Sequence, residues 1–202
     1  MIINHLFPEP VCFSKLERSL TKQELKTIDK YKKETKNNQG NTITTPNYIL
    51  ENKALKNLKK DLHKKVIDYF NEVVCTSNSI IPYITQSWLN YTEPGQFHHR
   101  HEHSNSYVSG VFYVSADKEV DRIRFYKTAH EEIQLAVSKY NLFNATTWQY
   151  PVQTGDVLLF PAYLTHGVEK KKGTNIRITL SFNVFFKGKI GNNKKLTELV
   201  IE

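Results

Sequence analysis

The sequence predicts an α+β fold in which a helical N-terminal part precedes an antiparallel β-sandwich. Three observations carry this reading. Between Glu51 and Val74 the apolar residues recur every three or four positions. After Cys75 the pattern changes to short runs of β-branched and aromatic residues. Pro94-Gly95, Ala116-Asp117-Lys118, Thr154-Gly155-Asp156 and Lys172-Gly173-Thr174 then punctuate those runs as turns. Helices first and short strands afterwards fit a two-sheet jelly roll of the cupin type, which manages its strand edges within one unit.

Taken in order, residues 15–36 carry helix punctuation. Thr21 stands three before Glu24, the capping-box spacing, and Leu20, Leu25, Ile28 and Tyr31 follow a helical period. Asn37 to Asn41 is a loop. The stripe Leu55, Leu58, Leu62, Val66, Tyr69, Phe70 and Val73 is the clearest amphipathic helix, and it needs a partner for its apolar face. Strands are expected at Ile80–Asn90, Tyr107–Val114, Arg122–Tyr126, Thr147–Val152, Asp156–Phe160 and Arg177–Phe186, with an irregular insertion over 127–146. The chain reads as a single domain over 1–202: a mainly helical part to residue 75, a jelly-roll core over 76–190 and a tail from 191.

Composition narrows the class without naming a function. The 202 residues carry 28 Lys+Arg against 20 Asp+Glu, a net charge of +8, and 12% are aromatic. The excess is spread, with 14 basic and 9 acidic residues up to Cys75 and 14 and 11 after it. Lys53, Lys56, Lys59, Lys60, Lys64 and Lys65 lie off the apolar stripe of their helix, and Lys170-Lys171-Lys172-Gly173 reads as a solvated hairpin tip. Charge alone keeps a nucleic-acid partner open and does no more. No apolar run reaches the roughly 20 residues of a membrane-spanning helix. The start lacks a basic segment followed by a long apolar one, and Cys12 and Cys75 form no disulfide framework, so a cytoplasmic protein is expected.

Histidine is the outlier. Four of the eight, His98, His99, His101 and His103, fall within six residues. On a strand, positions two apart share a face, so His99, His101 and His103 point one way and His98, Arg100 and Glu102 the other. Two such ligands and one from a distant strand can cap one face of an octahedral metal and leave the opposite face open, as in non-haem Fe(II) oxygenases. The distant partner is His166, just past a strand opened by Gly155-Asp156. Eleven residues on stands Arg177, with Thr179 two further along the same strand face. A buried arginine without an acidic neighbour requires an anion, and a dicarboxylate's far carboxylate supplies one in bidentate geometry. Trp88, Asn90, Tyr107 and Tyr113 lie on neighbouring strands as pocket candidates, and Asn90 and Asn183 would need partners as buried amides.

With these residues in view, the sequence resembles the 2-oxoglutarate/Fe(II)-dependent oxygenases of marine bacteria and their phages. The resemblance runs over nearly the whole chain, through Leu6-Phe7-Pro8-Glu9-Pro10-Val11, Ser87-Trp88-Leu89-Asn90, His101-Glu102-His103 followed by Ser109-Gly110-Val111-Phe112-Tyr113-Val114, Gly155-Asp156-Val157-Leu158-Leu159-Phe160-Pro161 and Arg177-Ile178-Thr179-Leu180-Ser181-Phe182-Asn183. It implies a double-stranded β-helix that binds Fe(II) and 2-oxoglutarate, decarboxylates the latter to succinate with dioxygen, and hydroxylates a further substrate. It matches His101 and His166 to the metal histidines, and Arg177 and Thr179 to the cosubstrate's distal carboxylate, with Asn90 beside them. The wider superfamily has Asp or Glu two residues after the first histidine, where this chain has His103. The third ligand is therefore His103 or Glu102, with His99 as a substitute ligand or pocket residue. A three-His cupin-like dioxygenase without 2-oxoglutarate, and a jelly-roll binding module without catalysis, are the competing readings. The prime substrate, small molecule or protein side chain, is not legible.

Overall fold

The computed structural model describes residues 1–127, 133 and 135–202. In chain order its elements are β1 (Cys12–Lys15), α1 (Lys22–Tyr31), β2 (Thr35–Asn37), β3 (Thr42–Thr44), α2 (Lys56–Tyr69), β4 (Ile80–Thr92), β5 (His98–His101), β6 (Val108–Ser115), β7 (Arg122–Tyr126), β8 (Thr147–Pro151), β9 (Asp156–Pro161), β10 (His166–Val168), β11 (Arg177–Ile190) and β12 (Leu199–Ile201). Two antiparallel sheets result. The larger runs β1-β9-β6-β11-β4-β3-β2 with β12 added to β11, and the smaller runs β5-β10-β7-β8. This is the jelly roll that the strand pattern predicts.

The helices form as their sequences dictate. Thr21 caps α1 through the Glu24 amide while the Glu24 carboxylate returns to the Thr21 amide, a complete capping box. Burying that carboxylate is tolerable because Arg18 grips it with both guanidinium ends, at 2.7 and 2.8 Å. On α2, Leu58, Leu62, Val66 and Tyr69 form the buried stripe, whereas Val73, one turn beyond, is exposed.

Strand alternation divides the core into two layers. Leu89, Phe112, Val157, Leu159, Leu180, Phe182 and Val184 point out of the large sheet onto α2 and its flanking turns. Val111, Tyr113, Leu158 and Phe160 point the other way, onto Ile123 and Phe125 of the small sheet. Both faces of the large sheet are covered, so β9 is buried at every position and reads as a continuous apolar run. At Gly110 the sheet excludes a side chain: a methyl there would run into the Phe182 ring across the sheet.

The N-terminal 75 residues contribute more than helices, since β1, β2 and β3 all join the large sheet. The tail also pairs, through β12 on β11. These strands are three or four residues long, too short to show an alternation. Of the expected insertion, residues 128–132 and 134 lie outside the described residues. Its ends are closed by the Lys127 amide donating to the Thr146 carbonyl at 2.8 Å, and 135–146 holds turns and bends only.

The Lys170–Lys172 tip departs from expectation. Lys171 is buried, with its ammonium 3.2 Å from the equally buried Asp121 carboxylate and 2.7 Å from the Asn175 amide oxygen. A carboxylate supplied by a segment some fifty residues earlier turned an apparently solvated lysine into an interior ion pair, and nothing local in the tip announces that partner.

Candidate metal centre and carboxylate cleft

The two sheets hold a cleft whose floor is built from β11. Arg177, Thr179 and Ser181 alternate along it and face inward, while Ile178, Leu180 and Phe182 between them face the other way or fill the sheet. The small sheet provides the opposite wall. His101 of β5 is the direct cross-strand partner of His166 on β10. The two rings lie 4.4 Å apart between centres. Gly167 permits this close pairing, because a side chain there would stand 3.1 Å from the His98 and His99 carbonyl oxygens.

His103 arrives by a different route. Regular strand ends at His101, and the His103 amide donates to the Ala162 carbonyl at 3.0 Å, which pins the following segment. The ring then reaches across to the large sheet, stacked beside His101 at 5.1 Å and against Trp88 at 5.6 Å. One ligand atom each from His101, His103 and His166 lies within 4.8 Å of the others, a set able to hold a metal ion. Glu102 turns away and accepts from the Thr165 hydroxyl at 3.0 Å, and the compact set does not include it.

All three rings are oriented in the same way. Nδ1 of His101 donates to the His99 carbonyl at 2.8 Å, Nδ1 of His166 to the Leu164 carbonyl at 3.0 Å, and Nδ1 of His103 to the Asn183 side-chain oxygen at 2.5 Å. A carbonyl oxygen can only accept, so each Nδ1 carries the hydrogen and each Nε2 keeps its lone pair for a cation. Asn183 comes into reach at an irregularity of β11, where its register with β4 shifts between Phe182 and Val184. Burial holds the imidazoles neutral: His101 is pushed down to about 4, His103 is lowered, and His166 lies well below its usual value, with mutual repulsion among the rings adding to the effect for His101 and His166.

At the other end, the Arg177 guanidinium is 3% exposed and has one hydrogen-bond partner among the described residues, the Thr92 hydroxyl at 3.1 Å. Among the described residues, no acidic side chain lines the cleft. Asp121 favours the charge of Arg177 from beyond it but is paired with Lys171. Thr179 and Ser181 stand next to Arg177, and the Asn90 amide donates to both hydroxyls, at 3.2 and 2.9 Å. Their own O–H hydrogens are thereby free to point into the cleft, toward an acceptor.

The sequence-predicted residues thus divide. His101, His103, His166, Arg177, Thr179, Trp88 and Tyr113 meet around one cleft. Asn90 sits one layer behind, holding Thr179 and Ser181, and its amide oxygen is buried without a partner among the described residues. Asn183 stands behind His103 and lines the mouth with Trp88 and His98. Tyr107 does not join the cleft: it is 44% exposed and its ring meets Phe70 and Phe186 outside, because it precedes β6 by one residue and turns to the other face. His99 is half-buried near the Gln39 carbonyl, at 3.4 Å. The cleft also takes in Ser181 and His98; strand alternation places His98 on the face opposite His101, but the irregular pairing of β5 with β10 between these two residues brings its ring onto His101. Extending the polar alternation of Arg177 and Thr179 by one step would have found Ser181.

Comparison with known proteins agrees with this geometry. The model of a family described as "Putative 2OG-Fe(II) oxygenase" matches residues 86–183, where 2OG is 2-oxoglutarate. No curated protein matches the chain. Among solved structures, a Trichoplax adhaerens prolyl hydroxylase in complex with a hypoxia-inducible-factor peptide is 14% identical, with a TM-score of 0.61 over 87% of this chain and 83% of that one. A 2OG-Fe(II) oxygenase family protein from Burkholderia pseudomallei is 11% identical, with a TM-score of 0.58 over 86% and 83%. HygX from Streptomyces hygroscopicus, with nickel, 2-oxoglutarate and hygromycin B bound, is 14% identical, with a TM-score of 0.54 over 85% and 82%. At such identities the likeness is one of fold. The family match over residues 86–183 spans β4 to β11 and so takes in all three histidines of the set together with Arg177 and Thr179.

Proposed function

We propose that the chain is a 2-oxoglutarate- and Fe(II)-dependent oxygenase with a three-histidine metal centre. His101, His103 and His166 hold the iron through Nε2, and Arg177 with Thr179 receives the distal carboxylate of 2-oxoglutarate. The observation that carries this reading is the pairing, in one cleft without acids, of three neutral imidazoles at one end and a buried, nearly partnerless guanidinium at the other. The donor set fits a divalent transition metal: imidazole nitrogens, deprotonated toward the cleft, with their second nitrogens anchored.

Bound iron with 2-oxoglutarate supplies oxidative decarboxylation to succinate coupled to hydroxylation of a second substrate. The protein's part is placement and exclusion. Arg177 fixes the far end of a five-carbon diacid by charge and by paired N–H donors. Thr179 and Ser181 add hydroxyl donors whose direction Asn90 sets. Tyr113 lines the same wall, and burial raises its pKa, so its phenol stays a neutral donor. Val111, Ile123 and Val168 keep the cleft apolar between the two polar ends, which strengthens every charge contact inside it. Trp88, Asn183 and Ser104 border the open mouth, where the second substrate would approach.

The test is conversion of 2-oxoglutarate to succinate by the Fe(II)-loaded chain, which should proceed slowly even without the prime substrate. Arg177→Ala should weaken 2-oxoglutarate binding by on the order of 100-fold, the loss of a buried charge-assisted pair, while metal affinity stays the same. Unchanged cosubstrate affinity would remove Arg177 from this role. Dioxygen uptake without 2-oxoglutarate consumption would move the reading to a three-His dioxygenase.

A further inference from the structure

The histidine tract contains a second compact ligand set that the triad does not use up. His98, His99 and His101 each offer a ring nitrogen within 4.8 Å of the others. Their ring centres are 4.6, 4.9 and 5.2 Å apart, against 4.4, 5.1 and 5.2 Å in the triad. By separation the outer set is as tight as the inner one. Its rings are half-buried, and His98 lies stacked on His101 at the mouth of the cleft with planes 21° apart. His98 also lines the cleft itself, alongside Arg177.

We propose that His98, His99 and His101 form a second, weaker position for a divalent transition metal, exclusive of the triad position because His101 belongs to both. The ranking follows from how the rings are held. Every triad Nδ1 donates to a carbonyl oxygen at 3.0 Å or less, whereas the His99 Nδ1 is 3.4 Å from the Gln39 carbonyl, too long to fix a ring. Exclusivity follows from His101, whose Nδ1 is occupied by the His99 carbonyl, so that one nitrogen remains for one metal.

The experiment is calorimetric titration of the full chain with Co(II), with circular dichroism to confirm folding. Wild type should bind one Co(II) per chain. H103A/H166A should still bind one, about 10–100-fold more weakly, the loss expected when ring anchoring is absent, and H103Q/H166Q serves if the alanine pair does not fold. H98A/H99A should keep one Co(II) at close to wild-type affinity. A folded H103A/H166A or H103Q/H166Q chain that binds no Co(II) overturns the outer position. Two Co(II) per wild-type chain overturn exclusivity. Loss of binding in H98A/H99A with retention in H103A/H166A overturns the ranking and, separately, the triad.

Discussion

Of the three histidines in the triad, His103 alone is anchored by a side chain. His101 and His166 give their Nδ1 hydrogens to main-chain carbonyls, which mutation cannot remove, whereas His103 gives its hydrogen to Asn183. Asn183→Ala therefore releases one ligand and leaves the backbone intact. The lost hydrogen bond leaves a largely buried N–H without a partner, a cost of about 1–3 kcal/mol. The ring also regains rotation, since Trp88, 5.6 Å away, restrains it from the side only. Loss of an outer-shell partner of a metal histidine typically lowers metal affinity about 10–100-fold, or roughly 1.4–2.7 kcal/mol, in line with the hydrogen-bond figure. Asn183→Asp should hold affinity within about threefold, because a carboxylate oxygen accepts at least as well and makes the imidazole a stronger ligand. The assay is Co(II) competition against a chelator for wild type and both variants, with urea unfolding to separate affinity from stability. A folded Asn183→Ala chain that binds Co(II) within twofold of wild type would refute the anchoring argument.

Other consequences concern stability. Lys171→Met leaves the Asp121 carboxylate buried and unpaired, and should cost about 3–5 kcal/mol in urea unfolding; K171M/D121N should regain part of it, and strict additivity of the two single changes would argue against the pair. Gly110→Ala forces the Phe182 ring aside and should cost about 1–3 kcal/mol, read as a lower Tm with unchanged metal affinity. In the metal-free chain, burial depresses His98 to about 2 and His101 to about 4, and lowers His103 and His166 as well. Below about pH 6.5 the unfolded chain takes up protons that the folded chain refuses. Stability is therefore full above pH 6.5 and falls as the pH drops toward 4, at up to about 1.4 kcal/mol per pH unit for each histidine and less for the half-buried ones. A urea midpoint that stays flat from pH 7 to 5 would contradict this.

Much of the site was legible because strand geometry is regular. Arg177 and Thr179 share a face by period two, and that face is the cleft floor. His166 stands directly opposite His101, as two ligands on neighbouring strands should. What was illegible depends on contacts between segments far apart in sequence. His103 lies past the end of β5, so its convergence with His101 owes nothing to strand alternation; it comes from the Ala162 hydrogen bond and from Asn183 at a shift in register. Lys171 was misread because Asp121 and Asn175 meet it only in the folded chain. Asn90 was correctly singled out as a buried amide, but its neighbours Thr179 and Ser181 lie 89 and 91 residues away. The short strands β1 to β3 were missed because three or four residues cannot display a period.

The charges around the cleft explain why a histidine can stand where a carboxylate is usual. Lys171 and Asp121 cancel each other, the imidazoles are neutral, and no acid lines the cleft, so Arg177 contributes a net +1. A divalent metal on three imidazoles keeps its full +2, giving +3 before any ligand arrives; with a carboxylate ligand the sum would be +2. A 2-oxoglutarate dianion then leaves +1 in the three-histidine case and zero in the other. The excess charge strengthens attraction for the dianion in a low-dielectric cleft, and it also leaves the loaded site favouring a second substrate, or a product, that carries a negative or strongly dipolar group. The neutral amide and hydroxyl groups at the mouth, Asn38, Asn183 and Ser104, offer no charge to oppose such a group. A histidine at position 103 and the absence of acids among the described cleft residues act in the same direction on this sum: an aspartate or glutamate on any of the cleft walls would bring it back to zero with metal and dianion bound.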